Sequence, residues 1–239
     1  MKPAFFLVLL SMCFSPFASG QLTQQMVYST YFIKSGDKGG TAFTLEYKSR
    51  QYLITAAHVV DRLPNEGGHL EIMEHVIWKD LQVGRINVKS KDADIAVLIP
   101  GRPLMHSDSL QAIEGKFNYG AEVYFLGFPL GLHTIFEGEY VPVIKHGFVS
   151  ASDNSDPEAV ITYIDGFNNE GFSGGPVLTK NSKGEWQVVS VISGYLQEHA
   201  KQHVRKQDVD TSILVNSGII VTYNIGIVTE AIDSSTTVR

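Results

Sequence analysis

Three stretches of this 239-residue chain hold side chains able to do covalent chemistry. In Gly171-Phe172-Ser173-Gly174-Gly175-Pro176 a serine sits among three glycines and a proline closes the run. Glycine lifts the side-chain barrier to positive φ and lets another backbone come close. Such a loop can expose the Ser173 hydroxyl with backbone N–H groups turned toward it. An attacking serine needs both, because the anion it generates must be met by preplaced donors. Glycine-rich turns also hold serine for turn chemistry alone, so the run requires a base and an orienting acid elsewhere in the chain.

Thr55-Ala56-Ala57-His58-Val59-Val60 offers the base. It follows an apolar strand-like stretch, and imidazole titrates near neutrality, as a general base must. The seven other histidines, His69, His75, His106, His133, His146, His199 and His203, mostly occupy polar or irregular surroundings. Asp92-Ala93-Asp94-Ile95-Ala96-Val97-Leu98 offers the acid. A carboxylate directly before a buried strand is costly without a partner, and Asp94 is the candidate to hold the imidazole in one tautomer. The plainer reading is that Asp92 and Asp94 solvate a loop.

The elements that must position these residues are short strands between turns. Stretches 26–33, 41–47, 51–56, 70–78, 81–88 and 94–99 read as strands, and 100–120, with Gly101, Pro103, Gly115 and Gly120, as a linker. A second series follows at 121–125, 140–150, 159–164, 176–179, 186–195 and 218–223, and apolar residues at helical spacing over 225–232 predict a C-terminal helix. Two all-β halves of this spacing are each expected to be a barrel or a sandwich, with a cleft where they meet.

Composition narrows the class. The chain is 44% hydrophobic and 18% charged with a net charge of -6, so it has no global basic footprint for nucleic acid or anionic lipid. Residues 1–20 read as a secretory signal peptide: Lys2, an apolar run Ala4 to Phe14, then Ala18-Ser19-Gly20 for cleavage before Gln21. The apolar run is short for a membrane span, and Met12 is a poor lead-in to a lipidated Cys13. Cys13 is the only cysteine, so an exported chain cut after Gly20 contains no disulfide. No later stretch is long and apolar enough to predict stable membrane insertion.

Taken in order, Thr-Ala-Ala-His, Asp-Ile-Ala-Val-Leu and Gly-x-Ser-Gly-Gly-Pro resemble the His, Asp and Ser motifs of the trypsin-like (chymotrypsin-fold) serine proteases. The match is similar above all to the bacterial HtrA/Deg-like branch. Gly127-Phe128-Pro129-Leu130-Gly131-Leu132 resembles that branch's Gly-Asn-Pro-Phe-Gly-Leu loop, and Lys145-His146-Gly147-Phe148-Val149-Ser150-Ala151 resembles its x-x-Gly-Ile-Val-Ser-Ala strand. The resemblance covers nearly all of the chain after residue 20 and leaves no length for the PDZ domains many HtrA proteins carry.

The resemblance implies an all-β fold of two six-stranded antiparallel barrels, 21–110 with His58 and Asp94 and 111–239 with Ser173 and the short C-terminal helix, and an active site in the cleft between them. It implies a serine endopeptidase acting on polypeptides, periplasmic or secreted, without cofactor or metal; oligomeric state is left open. Ser173 would be the nucleophile, His58 the base and Asp94 its orienting partner. The N–H groups of Gly171 and Ser173 would form the oxyanion hole. Phe167 would line the specificity pocket, and Ser193-Gly194-Tyr195 would pair with substrate backbone.

The sequence also departs from the family pattern. Phe172 stands where trypsin has an aspartate and HtrA proteins usually asparagine, so a bulky ring adjoins the expected oxyanion hole. Phe167, not an acid, predicts an apolar or small preference rather than a tryptic one, and Ile192 lacks the histidine of glutamate-specific relatives. Two other readings remain. One is a trypsin-like fold that binds without cleaving. The other is an α/β-hydrolase-type esterase with Gly171-x-Ser173-x-Gly175 as its elbow and Glu185 or Glu198 with His199 or His203 downstream.

Overall fold

The computed structural model describes residues 22–104, 110–112, 118–132, 134–204 and 207–236, with backbone alone at 201–211 and 236. The leader expected at 1–20, His106, His133 and the side chain of His203 lie outside the described residues.

The first half is a ring of β1 (Thr30–Ser35), β2 (Lys38–Tyr47), β3 (Arg50–Thr55), β4 (Gly67–Glu74), β5 (Ile77–Ile86) and β6 (Ala96–Pro100). Hydrogen-bonded neighbours run β1-β4-β5-β6-β3-β2, and β2 pairs back with β1 to close the ring. β7 (Leu110–Gln111) joins β2 in parallel, so part of the expected linker is strand. The second half is a closed barrel in the order β11-β12-β15-β14-β13-β8. Its strands are β8 (Glu122–Gly127), β11 (Val143–Asp153), β12 (Ile161–Asp165), β13 (Pro176–Lys180), β14 (Trp186–Val204) and β15 (Gln207–Asn224). A small hairpin, β9 (Ile135–Phe136) and β10 (Glu139–Tyr140), projects between β8 and β11. The all-β double barrel expected from the sequence is therefore present, and the esterase reading, which needs alternating strands and helices, is overturned.

Among the described residues, three of four apolar clusters hold most of the buried side chains, the fourth packing Phe32 and Met73 on Phe128 and Tyr140. Leu53, Ile72, Leu81 and Leu98 fill the first ring. Val123, Phe125, Ile164, Val189 and Ile220 fill the second barrel. The third joins the halves: Phe43 and Leu45 of β2 meet Leu126, Leu178, Val188 and Val191. Ile227, Val228, Ala231 and Ile232 of helix α2 (Gly226–Thr236) seal that junction. This double duty explains why Gly40 to Leu45 are all buried, where an alternating strand would expose one face.

Two elements differ from the sequence reading. Residues 24–28 form a helix, α1 (Gln24–Tyr28), not the start of a strand, because the Thr23 hydroxyl accepts the Met26 N–H and caps it. The β14–β15 hairpin runs far beyond the expected 186–195 and 218–223. β13 pairs β14 only to Val191 and β12 pairs β15 only from Ile219, so the pairs from Gln197–Asn216 to Val204–Gln207 form a two-stranded arm outside the barrel. At its described side chains, 197–200 and 212–216, the arm is exposed or half-buried, so no core imposes a period-2 pattern there.

Candidate active site

β3 ends at Thr55 and passes through buried Ala56 into a single 3₁₀ turn, Ala57–Val60. Val59 and Val60 anchor the turn in the first core, which leaves the His58 side chain 47% exposed toward the cleft. Asp94 sits at the bend before β6, between buried Ala93 and Ile95. Its carboxylate grips His58 twice: Oδ2 lies 2.6 Å from the imidazole Nδ1 and Oδ1 accepts the His58 backbone N–H at 2.9 Å. Burial alone would raise the Asp94 pKa, but hydrogen bonds from His58 and Ser193 outweigh it and hold the carboxyl below its usual range. The arrangement leaves Nε2 as the ring nitrogen facing away from the carboxylate.

Ser173 lies on the loop that leads into β13. Its hydroxyl donates to the Ser193 carbonyl at 2.9 Å, while the Ser193 hydroxyl donates to Asp94 Oδ2 at 2.6 Å. Ser193 therefore ties the serine of the second barrel to the His58–Asp94 pair of the first. The sequence marked Ser193 for substrate pairing and missed this link.

The loop before Ser173 is shaped by its neighbours. Gly171 adopts φ +97, and a Cβ there would run into the Phe128 carbonyl. The Glu170 carbonyl accepts the Leu130 N–H at 2.9 Å, which fixes the peptide plane joining Glu170 to Gly171. Among the described residues, the N–H groups of Gly171 and Ser173 have no protein acceptor. Phe172 is fully buried: its ring enters the second core, edge-on to Phe125 at 5.5 Å between centroids. The aromatic side chain thus points away from the N–H groups it was expected to disturb.

Thr41, which the sequence reading passed over, clasps this loop from the first barrel. Its N–H donates to the Ser173 carbonyl at 2.8 Å and its hydroxyl to the Gly171 carbonyl at 2.6 Å. The same hydroxyl accepts the Phe128 N–H at 3.1 Å, and the Thr41 carbonyl accepts the Thr55 hydroxyl at 2.7 Å. Its one legible signal is position: it directly follows Gly39-Gly40, and Gly40 leaves room for Val59 and the Ser173 carbonyl.

The segment 167–169 forms a wall beside the loop that carries Ser173. The Phe167 ring is 54% exposed, and the Phe167 carbonyl accepts Lys145 Nζ at 2.7 Å. Lys145 also donates to Asn169 Oδ1 at 3.0 Å and lies 5.3 Å from the Phe172 ring centre. Burial pushes its ammonium below the usual lysine range. Asn168 is buried, donates to the Gly194 carbonyl at 3.2 Å and accepts Asn216 Nδ2 on its own carbonyl at 2.6 Å. Tyr195, half-buried, is paired with Ile220 at the point where β14 leaves the barrel. Among the described residues no cluster of His, Cys, Asp and Glu is arranged to hold a metal, and no helix is long and apolar enough to cross a membrane.

The architecture has known counterparts. The model of the trypsin-like peptidase domain matches residues 40–191, well over half of the chain, and the chain belongs to that family. It is accordingly a serine endopeptidase, a hydrolase of polypeptides. Among solved structures it is similar to the inactive form of the Rv3671c protease, whose Ser-to-Ala mutant structure is from M. tuberculosis H37Rv. The two share 18% identity at a TM-score of 0.56, covering 87% of this chain and 89% of that one. It is also similar to the HtrA-type protease AlgW with a tripeptide, at 15% identity and a TM-score of 0.59, covering 88% of this chain and 60% of that one. At these identities the likeness shows the fold. No curated protein matches the sequence.

Proposed function

We propose that this chain cleaves polypeptides through a Ser173–His58–Asp94 triad and an acyl-enzyme intermediate, in the periplasm or after secretion. The observation that carries the triad is the double grip of Asp94 on His58 joined through Ser193 to Ser173. In the resting site the Ser173 hydroxyl donates to Ser193. For attack it turns to His58 Nε2, the nitrogen Asp94 leaves unused. As Oγ bonds to the scissile carbonyl carbon, its proton passes to Nε2 and Asp94 stabilises the imidazolium. The carbonyl oxygen, now negative, is met by the N–H groups of Gly171 and Ser173, whose lack of a protein acceptor suits them to that role. His58 returns the proton to the leaving amine, the acyl-enzyme remains, and water activated by His58 releases it.

Phe167, Ser193 and Tyr195 are assigned to substrate binding, with an apolar or small side chain seated against Phe167. The cation Lys145 behind that wall is already engaged by Phe167 and Asn169, which argues against its serving as a free acid receptor. The two halves are divided at 110/111, one residue before the chain passes from Leu110 and Gln111, both paired on β2, to Ala112, which bridges to Val188. Export follows from the leader read at 1–20, and amino-terminal sequencing of the secreted chain, expected to begin at Gln21, tests it.

A fluorophosphonate probe tests the triad. Wild type is expected to be labelled, and Ser173→Ala to lose labelling with an unchanged circular-dichroism spectrum. A folded wild type that resists the probe refutes the proposal and favours the fold as a binding module.

A further inference from the structure

An open groove of about 460 Å³ lies on the first barrel beside the His58–Asp94 pair. It touches the pair through the chain itself, because Ala57 and Ala93 of its wall directly precede His58 and Asp94. Three cations line it: Arg85 at the end of β5, and Lys89 and Lys91 on the loop leading to Asp94. No carboxylate lines it. Among the described residues Arg85 and Lys91 have no ion pair, and Lys89 reaches only Glu230, at 3.9 Å. Asp92, the nearest acid in sequence, lies outside the lining.

The rest of the lining suits a side chain rather than a bare ion. Ile86, Val88, Ala93 and Ile95 give an apolar floor, of which Ile86, Ala93 and Ile95 are buried. Asn65 and Ser90 add polar partners at the rim. Apolar walls under unpaired cations favour a group with methylenes and a terminal carboxylate, and low-dielectric walls focus the positive potential. On a chain of net charge -6 this is a local inversion of sign. We infer that the groove is a subsite for acidic side chains of the polypeptide substrate, Asp or Glu, flanking the scissile bond. The inference deepens the peptidase reading and rests on it. Because the groove wall includes the residues directly before His58 and Asp94, the acid is placed within a few residues of the scissile bond.

The experiment separates binding from cleavage. Fluorescein-labelled decapeptide pools, identical except for Asp and Glu in one and Asn and Gln in the other, are titrated onto the Ser173→Ala protein and followed by anisotropy. The acidic pool is expected to bind at least about fivefold more tightly, a few-fold for each exposed pairing, and the gap to shrink in 0.5 M salt, about where screening is nearly complete. Adding Arg85→Glu and Lys91→Glu should abolish or invert the preference, and the milder Arg85→Gln with Lys91→Gln should remove it if the reversal disturbs folding. Equal binding of the pools overturns the inference, as does a preference that survives both pairs of substitutions. Fluorophosphonate labelling of wild type reports on the peptidase reading separately, so that either can fail while the other holds.

Discussion

The ring of Phe172 lies across Gly127: a Cβ built on Gly127 would fall 2.5 Å from Phe172 Cδ1 and 2.9 Å from its Cα. The aromatic residue before Ser173 is thus accommodated by a missing side chain 45 positions earlier, on β8. Gly127→Ala should overpack this contact and destabilise the protein by about 1–3 kcal/mol, read as a lower midpoint in urea. Pairing it with Phe172→Leu should recover part of the loss, and strict additivity of the two changes would show that they do not share the space.

Thr41→Val removes one hydroxyl that serves both the Gly171 carbonyl and the Phe128 N–H. The expected cost is about 1–3 kcal/mol, because both groups are left without their partner. Peptide hydrolysis should lose kcat more than it gains KM, since the loop shaping the anion site is slackened. Thr41→Ser, which keeps the hydroxyl, should restore most of both.

Asp94→Asn should lower turnover by up to about 10⁴-fold by favouring the wrong imidazole tautomer. Ser193→Ala, which removes one of the hydrogen bonds on that carboxylate, should cost far less. Unchanged turnover in Asp94→Asn would move the role to another acid, with Asp92 the first to examine.

The same carboxylate gives a signed pH effect. Its folded pKa lies below the ordinary aspartate value, so it binds fewer protons folded than unfolded. Its contribution to stability is fully present above about pH 4, the unfolded value. It is lost as pH falls from there through the depressed folded value. Urea midpoints measured from pH 6 downward should fall more steeply for wild type than for Asp94→Asn. Parallel curves would show that Asp94 contributes no such linkage.

Most of the double barrel was legible because β-branched and apolar residues gather in short runs between turns, alternating in part in β5 and β11 and nearly continuous in β1, β2 and β3. The arm of β14 and β15 beyond Tyr195 was not, since its two strands pair only with each other and its described side chains lie on no core. Helix α1 was misread because Met26, Val27 and Tyr28 have strand-like side chains, and the Thr23 cap decided otherwise. In the site, the motifs around His58, Asp94 and Ser173 announced themselves by residue type and order. The groups that hold them, Thr41, Gly127 and Leu130, act through a backbone atom, an absent side chain or a single hydroxyl. Their partners on the loop around Ser173 lie 40 to 132 positions away, and only the packed chain reveals such relations.

The clasp of Thr41 has a bearing on when the enzyme exists at all. Bonds that reach from one barrel to the other also shape the loop that carries Ser173. A half-folded chain, with either barrel alone in place, therefore has no assembled site. On the proposed triad, activity would then follow the docking of the two barrels.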